Sequence, residues 1–533
     1  MDAPSQAYRR RRWTLAVLCF SLLVIGVDNT ILNVALPTLV GAVHASASQL
    51  QWIVDGYTLV FAGLLLTAGS LGDRFSRKRA LSLGLLIFGT GSVLSAFAGS
   101  ATMLIATRSL MGVGGALIMP ATLSILTNTF TNPAERGKAI GIWAGVSGMG
   151  IAIGPIAGGW LLRHFWWGSV FLVNVPIVLV ALIAGSLLII DSKDPSAPRL
   201  DPIGAGLSIL GLTVLLWGLI EAPSHGWLST STLTAYAVAA AALIAFAVWE
   251  THTEHPMLDV RIFGNPRFSA ASSAITLVFF SMFGSFFLLT QYFQDVRGYS
   301  PLGAGLRIAP LAGVLFIAAP ASSTFVRWIG SKFVVAGGLG FAALGLVLFS
   351  LLRVNSSYPA VLLALLMLGL GISLTMAPAT ESIMGSLPKE KAGVGSAVND
   401  TTRQVGGALG VAVLGSVLSS GYASRIVKAV AGHPLTTSVA SASRDSVGGA
   451  LNAAHQVGGQ AGQALAVAAR QSFVGAMRPT MLIAAAVTLV GALVVLAFLP
   501  ARAVDVQTLE DLEAGVLEAD ETIPALVAAP AVA

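Results

Sequence analysis

Long apolar runs, each closed by a short polar or Gly/Pro-containing segment, recur from one end of the chain to the other. A helix crossing about 30 Å of hydrocarbon at 1.5 Å per residue needs roughly 20 such residues. Fourteen runs reach that length: 14–36, 52–71, 80–98, 103–125, 138–162, 169–190, 203–220, 232–249, 268–292, 305–326, 333–352, 359–384, 392–420 and 478–499. The thirteenth is interrupted by Asn399, Asp400, Thr401, Thr402, Arg403 and Gln404. Residues 405–419 alone would cover only about 22 Å, so the polar cluster belongs inside the span. The pattern predicts an all-α membrane protein with 14 transmembrane helices.

The chain also repeats itself. GVGGALIMPAT at 112–122 returns as GLGISLTMAPAT at 369–380, and Pro133, Glu135 and Arg136 return as Pro388, Glu390 and Lys391. Both copies sit at the same end of a span, and an even number of spans separates them. The repeat is therefore parallel, with two six-helix bundles around a central path. The spans at 203–220 and 232–249 are left over as an inserted pair without a buried charge, expected to be mainly structural. The expected organisation is a basic N-terminus at 1–13, a first bundle at 14–190 and a linker with the two extra helices at 191–267. A second bundle at 268–499 with an outside loop at 421–477 follows, then an acidic, mobile tail at 500–533. Weak helical periodicity around Leu465, Val467, Ala468 and Phe473 suggests short interfacial or hairpin helices in that loop.

Composition narrows the function. Only 10% of residues are charged and 55% are hydrophobic, where a soluble domain carries about 25% charged residues. Soluble enzymes, nucleic-acid binders and disordered chains are excluded as readings, and membrane lipid is the solvent for most of the surface. The net charge of +6 sits in short clusters between apolar runs, where it reports orientation instead of a nucleic-acid partner. With the N-terminus in the cytoplasm, the inside segments hold Arg9, Arg10, Arg11, Arg12, Arg74, Arg77, Lys78, Arg79, Arg136, Lys138, Lys193, Arg199, Arg261, Arg267, Arg327, Lys332, Lys389 and Lys391. The short outside loops hold only Arg163, Arg297 and Arg353. Both termini are thus expected to be cytoplasmic, in the cell membrane. Asp28 within the first run, and the lack of a small-residue cleavage site, mark that run as an uncleaved span. Cys19 is the single cysteine, so no disulfide framework or metal-thiolate set is expected. None of His44, His164, His225, His252, His255, His433 and His455 falls within an expected span, and no cofactor or metal is expected.

Ionisable residues inside spans are the first candidates for function, because a charge in hydrocarbon is costly unless paired or watered. Asp28, Asp55 and Arg108 all fall in the outer half of the first bundle. Two carboxylates near one arginine can hold different proton affinities, which suits uptake of a proton from outside and its release inward. The alternative is that an aspartate simply neutralises Arg108 for packing. In the second half, Asp400 and Arg403 are i, i+3 neighbours able to neutralise each other. Glu381 lies near the cytoplasmic end of its span, and Arg307 near the outer end of its own, where it can snorkel. GSLGDRFSRKR at 69–79 combines turning glycines with Asp73, which can face the positive end of a neighbouring helix, and with Arg74, Arg77 and Lys78. GVSGMGIAIGPIAGG at 145–159 places Gly150, Gly154, Pro155, Gly158 and Gly159 on one helix, a composition for a close-packed helix that slides or hinges. Trp143, Phe279, Phe280, Phe283 and Phe286 are candidate cavity aromatics.

Taken in order, these motifs resemble the major facilitator superfamily, and more narrowly its fourteen-span drug:proton antiporters of the EmrB/QacA type. Residues 69–79 resemble the loop GxLaDrxGrkxxl, with Ser76 where the family usually has glycine. VDNTILNVALP at 27–37, WIVDGYTL at 52–59, Arg108 with Gly112, 145–159, FLVNVP at 171–176, QDVRGYSPLGAG at 294–305 and 392–410 are also similar to family signatures. The resemblance runs from about Trp13 to Leu499. It implies that Asp73 latches the two bundles and that Asp28 couples protons to drug, with an acid at the Asp55 position in exporters of quaternary ammonium compounds. The expected function is export of small amphipathic, cationic drugs in exchange for protons, by a monomer that needs no ATP. A narrow exporter of one metabolite, natural product or lipid would share every motif. A membrane-embedded enzyme would need a nucleophile–base pair or metal cluster in one leaflet, which the sequence does not offer.

Overall fold

The structure is a computed structural model that describes residues 3–43, 47–193, 201–254, 256–388, 391–431 and 436–501. Among the described residues all regular structure is helical. The elements are α1 (Ala3–Ala42), α2 (Ala47–Phe75), α3 (Arg77–Ala96), α4 (Ala101–Thr129), α5 (Pro133–His164), α6 (Ser169–Leu172), α7 (Asn174–Leu188), α8 (Pro202–His225) and α9 (Thr230–His252). They continue with α10 (Pro266–Gln291), α11 (Pro301–Ile329), α12 (Ser331–Ser350), α13 (Tyr358–Met384), α14 (Ala392–Ala429), α15 (Thr437–Asp445), α16 (Val447–Val457) and α17 (Gly459–Phe498). Fourteen helical stretches are long and apolar enough to cross a membrane, α6 and α7 forming one of them. The chain is a multi-pass membrane protein.

Helix starts follow one local rule. Asn132, Asp201, Asn265 and Ser300 each cap a helix whose first residue is proline. The side-chain oxygen satisfies orphan N–H groups, and proline supplies the helical φ where its missing donor costs nothing. Asn132, for example, accepts from the N–H groups of Ala134 and Glu135 at 2.9 and 3.3 Å.

The packing reproduces the repeat. α3 packs on α4 as α12 does on α13, α2 on α4 as α11 on α13, and α1 on α5 as α10 on α14. The two halves meet along α5–α11 and α2–α14, with α4–α14 and α5–α13 contacts between these seams. The inserted helix α8 packs on α9 and also on both α2 and α14. Leu216 and Leu219 join Leu59 and Ala62 of α2 in one apolar cluster, and Trp227 Nε1 donates to Ser416 Oγ of α14 at 2.9 Å. The pair therefore covers one of the two seams between the halves.

Several details differ from expectation. α1 begins at Ala3, so the basic residues of the N-terminus are helical; Arg11 pairs with Glu135 at 3.2 Å and Arg10 reaches the Leu187 carbonyl. Most of the 421–477 segment is not a loop. α14 runs on to Ala429 and α17 starts at Gly459, because Tyr422 and Ile426 on one, and Leu465, Ala469 and Phe473 on the other, are buried where the two extensions pack with each other and with α15 and α16. The inserted pair does hold a buried acid: Glu250, 3% exposed, accepts the Leu258 N–H at 3.1 Å. His164 and His252 are the exposed last residues of α5 and α9. His44, Arg199, His255, Lys389, Glu390, His433 and the acidic tail from 502 lie outside the described residues.

Candidate functional site

Asp28 of α1 and Arg108 of α4 form a direct ion pair through Oδ2 and Nη1, 0% and 1% exposed. The rest of each group is also satisfied. Asp28 Oδ1 accepts from Asn174 Nδ2 at 3.0 Å, and that amide also donates to Ser92 Oγ at 3.0 Å. Arg108 Nε donates to the Ile53 carbonyl at 3.3 Å, while the guanidinium lies 4.5 Å from the Tyr57 ring centroid. Helices α1, α2, α3, α4 and α7 thus converge on one pair of charges. Removing one charge strands the other, at roughly 3–5 kcal/mol. Asp55 stands half-buried on α2, two residues past Ile53. Asn174 and Tyr57 fall within the family-like strings 171–176 and 52–59 without being singled out there, and Ser92 falls in none. Asn174 sits in an apolar run as Asp28 does, and a search for uncharged amides in spans would have found it.

The α2–α3 turn forms a second site at the face where α1 begins. Asp73 accepts the N–H groups of Gly393 and Val394, in the first turn of α14, at 3.0 and 3.1 Å, and Arg77 Nε at 2.8 Å. Carboxylate thus meets the positive end of a helix from the other half. A Cβ at Gly69 would come within 2.5 Å of the Gly393 carbonyl oxygen, so glycine is what lets the backbones close. Lys78 Nζ donates to the Ser186 and Ile189 carbonyls at 2.8 Å each, and Arg74 lies over the Phe75 ring. Ser76 has extended backbone, caps α3 through Arg79 N–H and donates to Asp191 Oδ1. Nearby, Arg136 of α5 bonds Glu381 of α13 across the halves at 2.8 Å. Glu381, which the sequence sets in the second half beside the polar pair Asp400 and Arg403, is held instead by Arg136 of the first half.

Along α5, glycines face two ways. Gly150, Gly154 and Gly158 meet Gly26, Thr30 and Ile31 of α1, and Thr30 Oγ1 donates to the Gly150 carbonyl at 2.7 Å. Gly145, Gly148 and Gly159 meet α11 at Leu315, Phe316 and Leu302, and Pro155 meets Gly305. One helix therefore couples α1 of its own half to α11 of the other.

In the second half, Asp400 and Arg403 form a buried pair at 3.7 Å. The Arg403 guanidinium also lies 4.8 Å from the Trp143 ring centroid and 5.3 Å from that of Phe279. Trp143 and Phe279 are buried, Phe283 stacks on Phe279 with 41% of its surface exposed, and Phe286 is half-buried. Arg307 covers the Tyr299 ring at 3.8 Å. Tyr299 lies between spans, where the hydrogen bond from Arg297 and the two nearby guanidinium charges hold its phenol below the usual tyrosine range. Among the described residues no group of three or more His, Cys, Asp or Glu could hold a metal ion.

The sequence profile described as the Major Facilitator Superfamily matches residues 18–411. The chain belongs to this transporter family. Its relatives include a multidrug efflux pump, LfrA, of Mycolicibacterium smegmatis, 38% identical over 91% of this chain and 96% of the relative. A tetracenomycin C resistance and export protein of Streptomyces glaucescens is 36% identical over 78% of each chain. The methyl viologen resistance protein SmvA of Salmonella typhimurium is 33% identical over 87% of this chain and 93% of its own. Two solved structures share the fold: the human organic anion transporter MFSD10, with a TM-score of 0.58 at 12% identity, covering 93% of this chain and 100% of that one, and a bacterial homolog of human lysosomal Spinster, with 0.55 at 20%, covering 93% and 99%.

Proposed function

We propose that the chain is a proton-coupled multidrug exporter that moves amphipathic organic cations out of the cytoplasm by alternating access. Its halves at 14–190 and 268–499 rock about the central path, both termini are cytoplasmic, and the working unit is a monomer in lipid. The observation that carries this is the fully buried Asp28–Arg108 pair. A proton on Asp28 cancels one charge of the pair and frees Arg108 to fall back on the Ile53 carbonyl and the Tyr57 ring. Gly26 and Thr30 bracket Asp28 on α1 and pack directly on α5. A shift of α1 around Asp28 therefore reaches α5, and through its second glycine face the α11 seam. Asp73 on α14 and Arg136 on Glu381 hold the cytoplasmic side shut in this arrangement, the state in which the acid awaits a proton from outside. A proton entering down 100 mV supplies about 2.3 kcal/mol, which a one-for-one exchange for a singly charged cation spends on moving that charge outward, so export of such a cation draws on the pH difference or on a second proton.

The relatives' names support drug export. Several of them name single antibiotics, tetracenomycin C, puromycin and methylenomycin A, which favours a narrow-specificity exporter as the second reading. Ethidium efflux from everted vesicles, with and without a proton gradient, tests the first. Asp28→Asn should abolish gradient-driven efflux, and Asp55→Asn should mainly weaken transport of dications. Undiminished efflux in Asp28→Asn overturns the assignment of the coupling acid.

A further inference from the structure

The buried pair in α14 is bonded in an unusual way. Asp400 and Arg403 are 1% and 3% exposed and sit one turn apart, yet they stop at 3.7 Å, outside hydrogen-bond range. Asp400 Oδ2, Arg403 Nε and Arg403 Nη1 have no hydrogen-bond partner. An arginine and a carboxylate this close ordinarily close a two-pronged bond, the strongest form of the contact. Here the guanidinium is drawn aside onto two rings, Trp143 and Phe279, and its one hydrogen bond goes from Nη2 to Thr380 Oγ1 at 3.3 Å. Trp143 is pinned in turn by its Nε1, which donates to Thr122 Oγ1 at 3.2 Å. Thr122 and Thr380 are the same position of the internal repeat. Trp143 belongs to the first half and Arg403 and Phe279 to the second, so the contact exists only while the halves are in this arrangement.

We propose that Arg403 is a resident cation. The rings of Trp143 and Phe279 form a box for the charged group of a transported compound, and the guanidinium fills it when no compound is bound. This rests on the reading of the chain as an exporter of organic cations. A box of π faces with few oxygen acceptors selects quaternary or delocalised cations, which attract rings without needing hydrogen bonds. An arriving cation displaces Arg403, whose free Nε and Nη1 then close on Asp400 Oδ1 and Oδ2, so the displaced charge stays neutralised. After release the guanidinium returns and opposes rebinding.

The test is equilibrium binding of ethidium to the full-length protein in lipid nanodiscs, read by fluorescence anisotropy with no proton gradient. Asp400→Asn/Arg403→Met removes both charges together, so no stranded carboxylate attracts the dye. It should bind ethidium about tenfold more tightly than the parent. Trp143→Leu should weaken binding and should erase that gain when combined with the double variant. Arg403→Lys keeps the charge but not the flat stacking group, and should tighten binding about threefold, which provides a readout if the double variant fails to fold. No gain in either variant, a gain that survives Trp143→Leu, or no ethidium binding by any form overturns the proposal. Vesicle efflux separates the two claims. Gradient-driven efflux that depends on Asp28 while the box variants bind like the parent leaves the exporter without the box, and the converse result leaves the box without proton coupling.

Discussion

Asparagine has the shape of aspartate but only half of its acceptors. In Asp73→Asn one edge of the side chain can still accept from Gly393 or Val394, while the other presents an NH2 to a backbone N–H. The charge that faced the α14 N-terminus and Arg77 is gone. A hydrogen bond to a charged group contributes about 1.5–3 kcal/mol and a neutral one about 1 kcal/mol. Losing one of the bonds at 3.0 and 3.1 Å and weakening the other removes roughly 3 kcal/mol, part of it the helix-end interaction. That moves the balance between closed and open forms of this face by about two decades. Spin labels at Arg79→Cys and Arg327→Cys, both exposed positions, would read it by pulsed electron–electron distance measurement on a Cys19→Ser background. The distribution should move to longer distances in Asp73→Asn. Gly69→Ala should act in the same direction by a different cause, since its Cβ would press on the Gly393 carbonyl at 2.5 Å and on Ala397 at 2.8 Å. Unchanged distributions in both variants would refute the idea that this contact holds the halves together.

Three further outcomes are expected. Glu381→Gln should open the same labelled face, and the exchange Arg136→Glu/Glu381→Arg should restore more than half of the closed population, since the pair crosses the halves at 2.8 Å. Gly150→Leu should lower the yield of folded protein on size exclusion, because its Cβ would lie 2.6 Å from the Gly26 Cα, an overlap of backbone that costs about 3 kcal/mol or more; Gly313→Leu, with nothing within 4 Å, should leave the yield unchanged. Ser76→Gly, although it restores the residue common in the family loop, should lower the unfolding free energy by about 1–2 kcal/mol, a few tenths of it from the weaker α3 cap and the rest from the lost Asp191 bond.

The number of spans was legible because hydrocarbon imposes a length and a polarity on each of them, and the parallel repeat because two short strings recur at one end of a span. Asp28, Arg108 and Asp400 stand out in sequence for the same reason, an ionisable group in an apolar run. Their partners do not. That Arg108 chooses Asp28 over Asp55, or that Arg136 meets Glu381, depends on how helices distant in sequence lean on one another, and no spacing along a single helix encodes it. Asn174 carries no charge and so gives a weaker signal than the acid it holds. The extension of α14 and α17 was hidden because alanine, glycine and serine suit a loop or a tightly packed helix equally; only the burial of Tyr422 and Ile426 on one, and of Leu465 and Phe473 on the other, decides it.

Because α8 lies against α2 and α14 together, the two lateral edges of the protein are unequal. On one edge a lipid or a greasy solute meets an additional wall; on the other, α5 and α11 meet directly, with glycines and prolines between them. α8 can therefore obstruct sideways entry to the interior on one edge only. If the halves shift against each other, α8 would have to travel with one of them and slip over the other, so the hairpin would act as a friction plate on a single side of the seam.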